Sequence, residues 1–316
     1  MPLSRLLPML RSFLLFLSRS DFVRKLTVHF PLARRVARRF VAGEHPDDAI
    51  RAIRALHQQG MSATLDHLGE NVHSEMDAVA AADACIAMLE KIEQAGVTAN
   101  ISVKLTQLGL DLGEKVCLDN LLRIVGRARG LGNFVRIDME GSDTTERTLA
   151  VLRKLRGEYG FDNVGIVLQA YLRRSEADLA ALLQSGTRIR LCKGAYQELP
   201  DVAFAHKSEV DANYVKLTEM LLEAAARAPQ PANKNGKFPP MAALATHDHD
   251  MVAAARRCAE KLGVPPEAFE FQMLYGIRRE LQAELARAGF AVRIYVPYGT
   301  QWYPYFMRRL AERPAN

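Results

Sequence analysis

Between residues 99 and 192 the chain runs through ANISVKL (Ala99–Leu105), FVRID (Phe134–Asp138), VGIVLQA (Val164–Ala170) and RIRLC (Arg188–Cys192). Each is a short β-rich run, and the helical patterns Thr144–Tyr159 and Glu176–Gln184 separate the last three. Short strands alternating with longer helices are the signature of βα units and a parallel sheet. The pattern continues outward in both directions. SATLD (Ser62–Asp66) and the helical stretch Met76–Ala95 come before it. AALAT (Ala242–Thr246), FEFQM (Phe269–Met273) and AVRIYV (Ala291–Val296) come after it, interleaved with helical stretches Glu209–Ala228, Asp250–Lys261 and Arg278–Ala288. Eight strands, each followed by a helix, predict one (β/α)8 TIM barrel over residues 44–316. A helix over His45–Gln59 precedes the first strand and is expected to plug the bottom of the barrel. PQPANKNGKFPP (Pro229–Pro240) reads as an exposed, mobile loop.

The polar residues support this reading. Asp66, Lys104, Asp138, Gln169, Lys193, Thr246 with His247, and Tyr295 fall at the C-terminal ends of different strands. Barrel enzymes place their chemistry at that rim.

Composition narrows the class. With 49% hydrophobic and 25% charged residues the chain is an ordinary globular protein. Its four cysteines are scattered without a CxxC pair, which argues against a zinc ribbon or a thioredoxin-like site. The net charge of +6 would suit nucleic acid, but the excess sits in the first forty residues, where nine Lys and Arg face the single acid Asp21. The rest is close to neutral, so no nucleic-acid partner is expected. Residues 1–43 are expected to form an N-terminal helical arm. Its longest charge-free apolar run, between Arg11 and Arg19, is far short of the ~20 residues of a spanning helix. Two readings of the arm stand side by side: an amphipathic helix on an anionic membrane face, or a helical arm packed on the barrel.

Four motifs carry chemistry. Arg308 and Arg309 are adjacent on the last helix, and with the Lys104 ammonium they would make a carboxylate clamp. Glu312 lies within helical reach of both. The alternative is a solvated basic helix end. In RLCKGAY (Arg190–Tyr196) a strand runs directly into Lys193 and Gly194, which suits a phosphate or a flavin approaching the backbone. THDHD (Thr246–Asp250) resembles a metal cluster and raises a hydrolase reading, but helix capping by Asp248 or Asp250 accounts for it better, and no metal site is expected. Tyr295, Tyr298, Trp302, Tyr303 and Tyr305 either wall a small pocket or pack the last helix.

Taken together, RFVAG, ATLDHLGE, ISVKLTQLG, RIDME, LQAYLRR, RLCKGAY, ATHD, FEFQMLYG, and RIYVPYGT followed by YFMRRLAE resemble the proline dehydrogenase family in its monofunctional bacterial form. The resemblance runs from about Arg39 to the C-terminus. It implies a distorted (β/α)8 barrel with FAD at the C-terminal mouth, oxidising L-proline to Δ1-pyrroline-5-carboxylate and passing electrons to a membrane quinone. It places the proline carboxylate on Lys104, Arg308 and Arg309, with Glu312, Asp66 and Glu70 in support. Asp138 and Arg190 become catalytic residues. Met139, Gln169, Lys193, Gly194, Ala195, Thr246 and His247 become flavin contacts, and Leu274, Tyr295 and Tyr305 the pocket wall. Tyr305 stands where a smaller residue would admit a ring hydroxyl, so proline is expected over 4-hydroxyproline. It also implies peripheral attachment to the inner face of the membrane and a separate pyrroline-5-carboxylate dehydrogenase for the next step. One departure is Asp248, where the family often has Asn.

Overall fold

The computed structural model describes residues 35–69, 72–196, 198–227, 232 and 235–312, except the side chain of residue 312. The elements in chain order are α1 (Pro46–His57), β1 (Ser62–His67), α2 (Glu75–Ala95), β2 (Ala99–Val103), α3 (Glu114–Gly130), β3 (Val135–Ile137), α4 (Ser142–Gly157) and β4 (Val164–Gln169). They continue as α5 (Ser175–Gln184), β5 (Ile189–Cys192), α6 (Lys207–Arg227), β6 (Ala242–Ala245), α7 (His249–Leu262), β7 (Phe269–Leu274), α8 (Arg279–Arg287), β8 (Ala291–Tyr298) and α9 (Trp302–Glu312). All eight strands are parallel, and β1 pairs with β8 from Ser62↔Arg293 to His67↔Tyr298, which closes the barrel. The fold expected from the alternating pattern is therefore present. The helix α3 fills the span between β2 and β3 that the sequence reading left unnamed.

Local signals set the element ends. Ser74 caps α2 by accepting the Asp77 N–H. Gly96 and Gly263 end α2 and α7 in the left-handed region, at φ 61° and 66°, where a side chain would be strained.

Two expectations about the bottom of the barrel are corrected. The helix α1 packs on the outside wall against β1, β8 and α2 rather than plugging the base. It occupies the place beside β8 and β1 where a regular barrel seats the helix that follows the eighth strand. That last helix, α9, instead brings Tyr305, Arg308 and Arg309 to the mouth, and this is the distortion of the fold. Nor is the whole of 229–240 an exposed loop. The residues 228–231 and 233–234 lie outside the described ones, but Lys237, Pro239 and Pro240 are buried. The carbonyls of Gly236, Lys237 and Pro239 accept from Arg293 Nη2 (2.9 Å), Asn100 Nδ2 (3.0 Å) and Arg188 Nη1 (2.6 Å). This segment closes the base because its backbone supplies acceptors to donors at the N-terminal ends of β2, β5 and β8.

The barrel interior is polar. Asn100, Ser102, Arg136, Arg190, Glu270, Gln272 and Arg293 are all buried on strands. Arg190 on β5 reaches Ser102 on β2 and Gln272 on β7, strands that are not its neighbours, so these side chains meet inside the barrel. The alternate positions Leu65, Ile101, Ile137, Ile166, Phe271 and Ile294 belong to the main apolar core.

Residues 1–34, most of the arm, lie outside the described ones. Ala37, Phe40 and Val41 pack in an apolar cluster with Leu68, Trp302, Tyr303, Tyr305, Phe306 and Met307. This segment is held close: a Cβ on Gly276 would come within 1.7 Å of the Arg39 carbonyl oxygen. No described helix is long and apolar enough to cross a membrane.

Candidate active site at the barrel mouth

A cavity of about 490 Å³ opens at the C-terminal ends of the strands. Asp66, Lys104, Asp138, Met139, Gln169, Arg190, Lys193, Gly194, Ala195, Thr246, His247, Leu274, Tyr295, Tyr305, Arg308 and Arg309 all line it. Residues that the sequence spreads over more than two hundred positions are thus brought to one place. Glu70 lies outside the described residues. Glu312 ends α9, and its side chain is likewise not described.

An ion cluster forms the floor. Lys104 Nζ donates to Asp66 Oδ1 and Oδ2 at 3.0 and 3.1 Å, to Asp138 Oδ2 at 3.4 Å and to the Tyr295 hydroxyl at 3.2 Å. Asp138 accepts two further hydrogen bonds: Tyr295 Oη donates to Oδ2 at 2.7 Å and Arg190 Nη1 to Oδ1 at 2.8 Å. Burial pushes the Asp138 carboxyl up, but the charges of Lys104 and Arg190 and the Tyr295 and Lys104 hydrogen bonds outweigh it and hold the group below its ordinary value. Burial, with Asp138 and Asp66 adding to it, pushes the Tyr295 phenol well above its ordinary value, so Tyr295 stays a donor. Two cations and two anions balance within this cluster. Beside it, Glu140 accepts the Thr106 N–H at 3.1 Å and its hydroxyl at 2.6 Å, which ties the ends of β2 and β3 together.

A second group forms beyond β5 and β6. Lys193 Nζ donates to Asp248 Oδ2 at 2.7 Å and also to Asp211. Asp248 caps α7, accepting the Asp250 N–H at 3.1 Å. Burial raises the Asp248 carboxyl, and the Lys193 and Asp250 hydrogen bonds with the Lys193 and Lys207 charges bring it down to about 2. The departure from Asn at this position thus supplies an ion partner for Lys193. His247 Nε2 accepts the Leu274 N–H at 2.8 Å, which occupies the lone pair a metal would need. Among the described residues no group of His, Cys, Asp and Glu is placed to hold a metal ion. Gly194, at φ 109°, is also required by packing: a Cβ there would lie 2.1 Å from the Tyr171 ring.

The aromatic residues divide between the two readings. Tyr295 and Tyr305 line the cavity, Trp302 and Tyr303 pack α9 against residues 37–41, and Tyr298 belongs to the main core.

Against this geometry stand the relatives. Residues 49–316 match the proline dehydrogenase family. The chain belongs to that family. It is 39% identical over 308 residues to proline dehydrogenase 1 of Bacillus subtilis, covering 98% of this chain and 96% of the relative. It is 41% identical over 284 residues to the proline dehydrogenase of Deinococcus radiodurans, covering 89% and 87%. Among solved structures it superposes on proline utilization A from Bdellovibrio bacteriovorus, inactivated by N-propargylglycine, with a TM-score of 0.79 and 30% identity. That match covers 90% of this chain and 33% of the longer protein.

Sequence reading missed several residues of the site. Cys192, Tyr196, Gln272 and Met273 also line the cavity. Gln272 had a signal: in FEFQM polar and apolar residues alternate, whereas a parallel strand covered on both faces reads as a continuous apolar run. Asp211, near the start of the helical stretch Glu209–Ala228, had none.

Proposed function

We propose that this family member oxidises L-proline to Δ1-pyrroline-5-carboxylate with bound FAD, the first step of proline catabolism to glutamate, and delivers the electrons to a membrane quinone. The observation that carries the proposal is the mouth itself: a charge-balanced polar floor, a guanidinium pair on α9, and the wall of Leu274, Tyr295 and Tyr305, around one cavity.

The residues fit a flavin. Gln169 Oε1 is buried without a hydrogen-bond partner among the described residues, which suits a ligand bringing an N–H donor, and the isoalloxazine ring has one. Met139, Gln169, Arg190, Lys193, Gly194, Ala195, Thr246 and His247 would hold the cofactor. A bound FAD supplies the acceptor for the hydride that leaves C5 of proline.

The chain's own groups position the substrate. Lys104 and Arg190 are matched by Asp66 and Asp138, so the floor has no net charge to offer an incoming carboxylate. Arg308, Arg309 and Lys104 line one cavity and together offer two guanidinium forks and an ammonium to the proline carboxylate. Leu274, Tyr295 and Tyr305 enclose the ring and exclude water. Asp138 serves as an orienting group rather than as the base for the proline amine. A carboxylate held below its ordinary value and already accepting from three donors is a weak base at neutral pH.

The N-terminal arm places the enzyme peripherally on the inner face of the membrane. Removing Met1–Arg19 is expected to reduce binding to anionic liposomes and leave dye-coupled proline oxidation intact; equal binding by both forms would remove this role. A separate dehydrogenase would take the pyrroline product. The direct test is dye-coupled turnover: FAD-loaded protein consumes L-proline and releases the pyrroline, and a flavoprotein inert toward proline would overturn the assignment of substrate.

A further inference from the structure

Below the cavity a line of hydrogen bonds runs down the barrel axis. Arg190 is held by three strands at once: Nη1 donates to Asp138 on the β3 end, Nη2 to Ser102 Oγ on β2 at 3.0 Å, and Nε to Gln272 Oε1 on β7. Gln272 Nε2 donates to Glu270 Oε1. Glu270 in turn accepts from Arg293 Nε at 3.0 and 3.1 Å, and both side chains are 2% exposed. Arg293 is anchored at the base by the carbonyls of Ala63 (3.1 Å) and Gly236 (2.9 Å).

The chemistry leaves the Gln272 amide a single orientation. A guanidinium only donates and a carboxylate only accepts, so the amide oxygen must face Arg190 and the nitrogen must face Glu270. A glutamine between two donors or two acceptors could flip; this one cannot without losing both bonds. The interior of a barrel of this class is normally filled by branched apolar side chains. Here three polar residues, Gln272, Glu270 and Arg293, carry the position of Arg190 back to the base.

We infer that Gln272, oriented by Glu270, is a positioning residue for the reaction: it fixes the rotation of the Arg190 guanidinium in the mouth. This rests on the reading that Arg190 faces a bound flavin. It acts through Arg190, which its amide oxygen accepts from, while its amide nitrogen is held by Glu270, so its loss is to be read apart from loss of substrate binding.

The test uses the FAD-loaded full chain and Gln272→Met, which keeps the volume and removes the acceptor. The Arg190 Nε–H is then left without its acceptor inside the barrel, and the guanidinium is free to rotate. The expected result is a fall in kcat of about tenfold, a KM for L-proline changed by less than about threefold, and a more negative reduction potential of the bound flavin. In an Arg190→Met background the same substitution should have little further effect, because residues acting through one another are non-additive. Gln272→Asn keeps an amide beside Glu270 but is too short to hold both partners; it should give the same signature at smaller amplitude, and serves where the Met variant fails to fold. An unchanged potential, a change confined to KM, or additive effects in the double variant would overturn the inference and leave the proline dehydrogenase reading standing. A wild-type protein whose flavin ignores proline would overturn that reading first.

Discussion

Arg308→Met is expected to raise the KM for L-proline more than tenfold while FAD stays bound and kcat falls by much less. Lys104 already donates to both oxygens of Asp66 and to Asp138, and Arg190 is paired with Asp138. An incoming carboxylate meets a floor whose cations are matched by anions, and the Arg308 and Arg309 guanidiniums of α9 add donors from the wall of the same cavity. A hydrogen bond to a charged group is worth about 1.5–3 kcal/mol, which corresponds to roughly ten- to a hundredfold in affinity. Arg308 lines the same cavity as the groups expected to hold the flavin but sits on a different element, so cofactor content should survive. Steady-state kinetics with a dye acceptor, and the flavin-to-protein absorbance ratio, check both halves. An unchanged KM would remove the clamp.

Asp138→Asn should have the larger effect on turnover. The carboxylate accepts on both oxygens, from Arg190 on one and from Tyr295 and Lys104 on the other. An asparagine has one acceptor and one donor, so one side of the site is left with a donor facing a donor. Either Arg190 or the Lys104–Tyr295 pair must move. A displacement of about 1 Å in a catalytic group can cost on the order of a hundredfold in rate, and kcat/KM should fall by about that much. Removing one partner from a buried ionic network also costs about 3–5 kcal/mol of stability, visible as a lower melting temperature. The pH profile discriminates between roles. The wild-type carboxyl is held below its ordinary value, so it remains charged throughout the neutral range and an acidic limb there belongs to another group. That limb should persist in Asp138→Asn. Its disappearance would make Asp138 the proton acceptor.

The sequence made some parts of this structure readable and hid others for physical reasons. The eight strands were visible because their β-rich runs are short and bounded by helical periodicity. Every observed strand end lies within two residues of the expected one. The helix α3 went unnamed, and its buried face includes Cys117 and Asn120, where Asn120 donates to the Leu108 carbonyl. A buried asparagine breaks an apolar stripe without breaking the helix. The base plug was misread because Pro, Asn, Gly and Lys are the composition of exposed loops. What the barrel uses there is backbone carbonyl oxygen, which composition does not reveal. The position of α1 was equally hidden, since a helix preceding the first strand has the same pattern whether it covers the base or the wall.

In the mouth, residues at strand ends were legible because a polar side chain ending an apolar run is conspicuous. The deeper residues Ser102, Glu270, Gln272 and Arg293 were embedded in the strands and read as part of them. Their alternation with apolar neighbours was the available clue, because a polar-lined barrel needs alternation where an apolar one does not. Asp248 was read as a helix cap and as a departure near the cofactor. It is a cap, and it also pairs with Lys193, a contact across 55 positions that no local pattern reports.

The central claim is that one cavity holds both a flavin and L-proline. Its most direct test is the visible spectrum of the purified protein, recorded anaerobically before and after L-proline is added. A flavin spectrum that bleaches on addition is the expected result. A colourless protein that also fails to take up added FAD, or a yellow one that proline leaves unchanged, would contradict it.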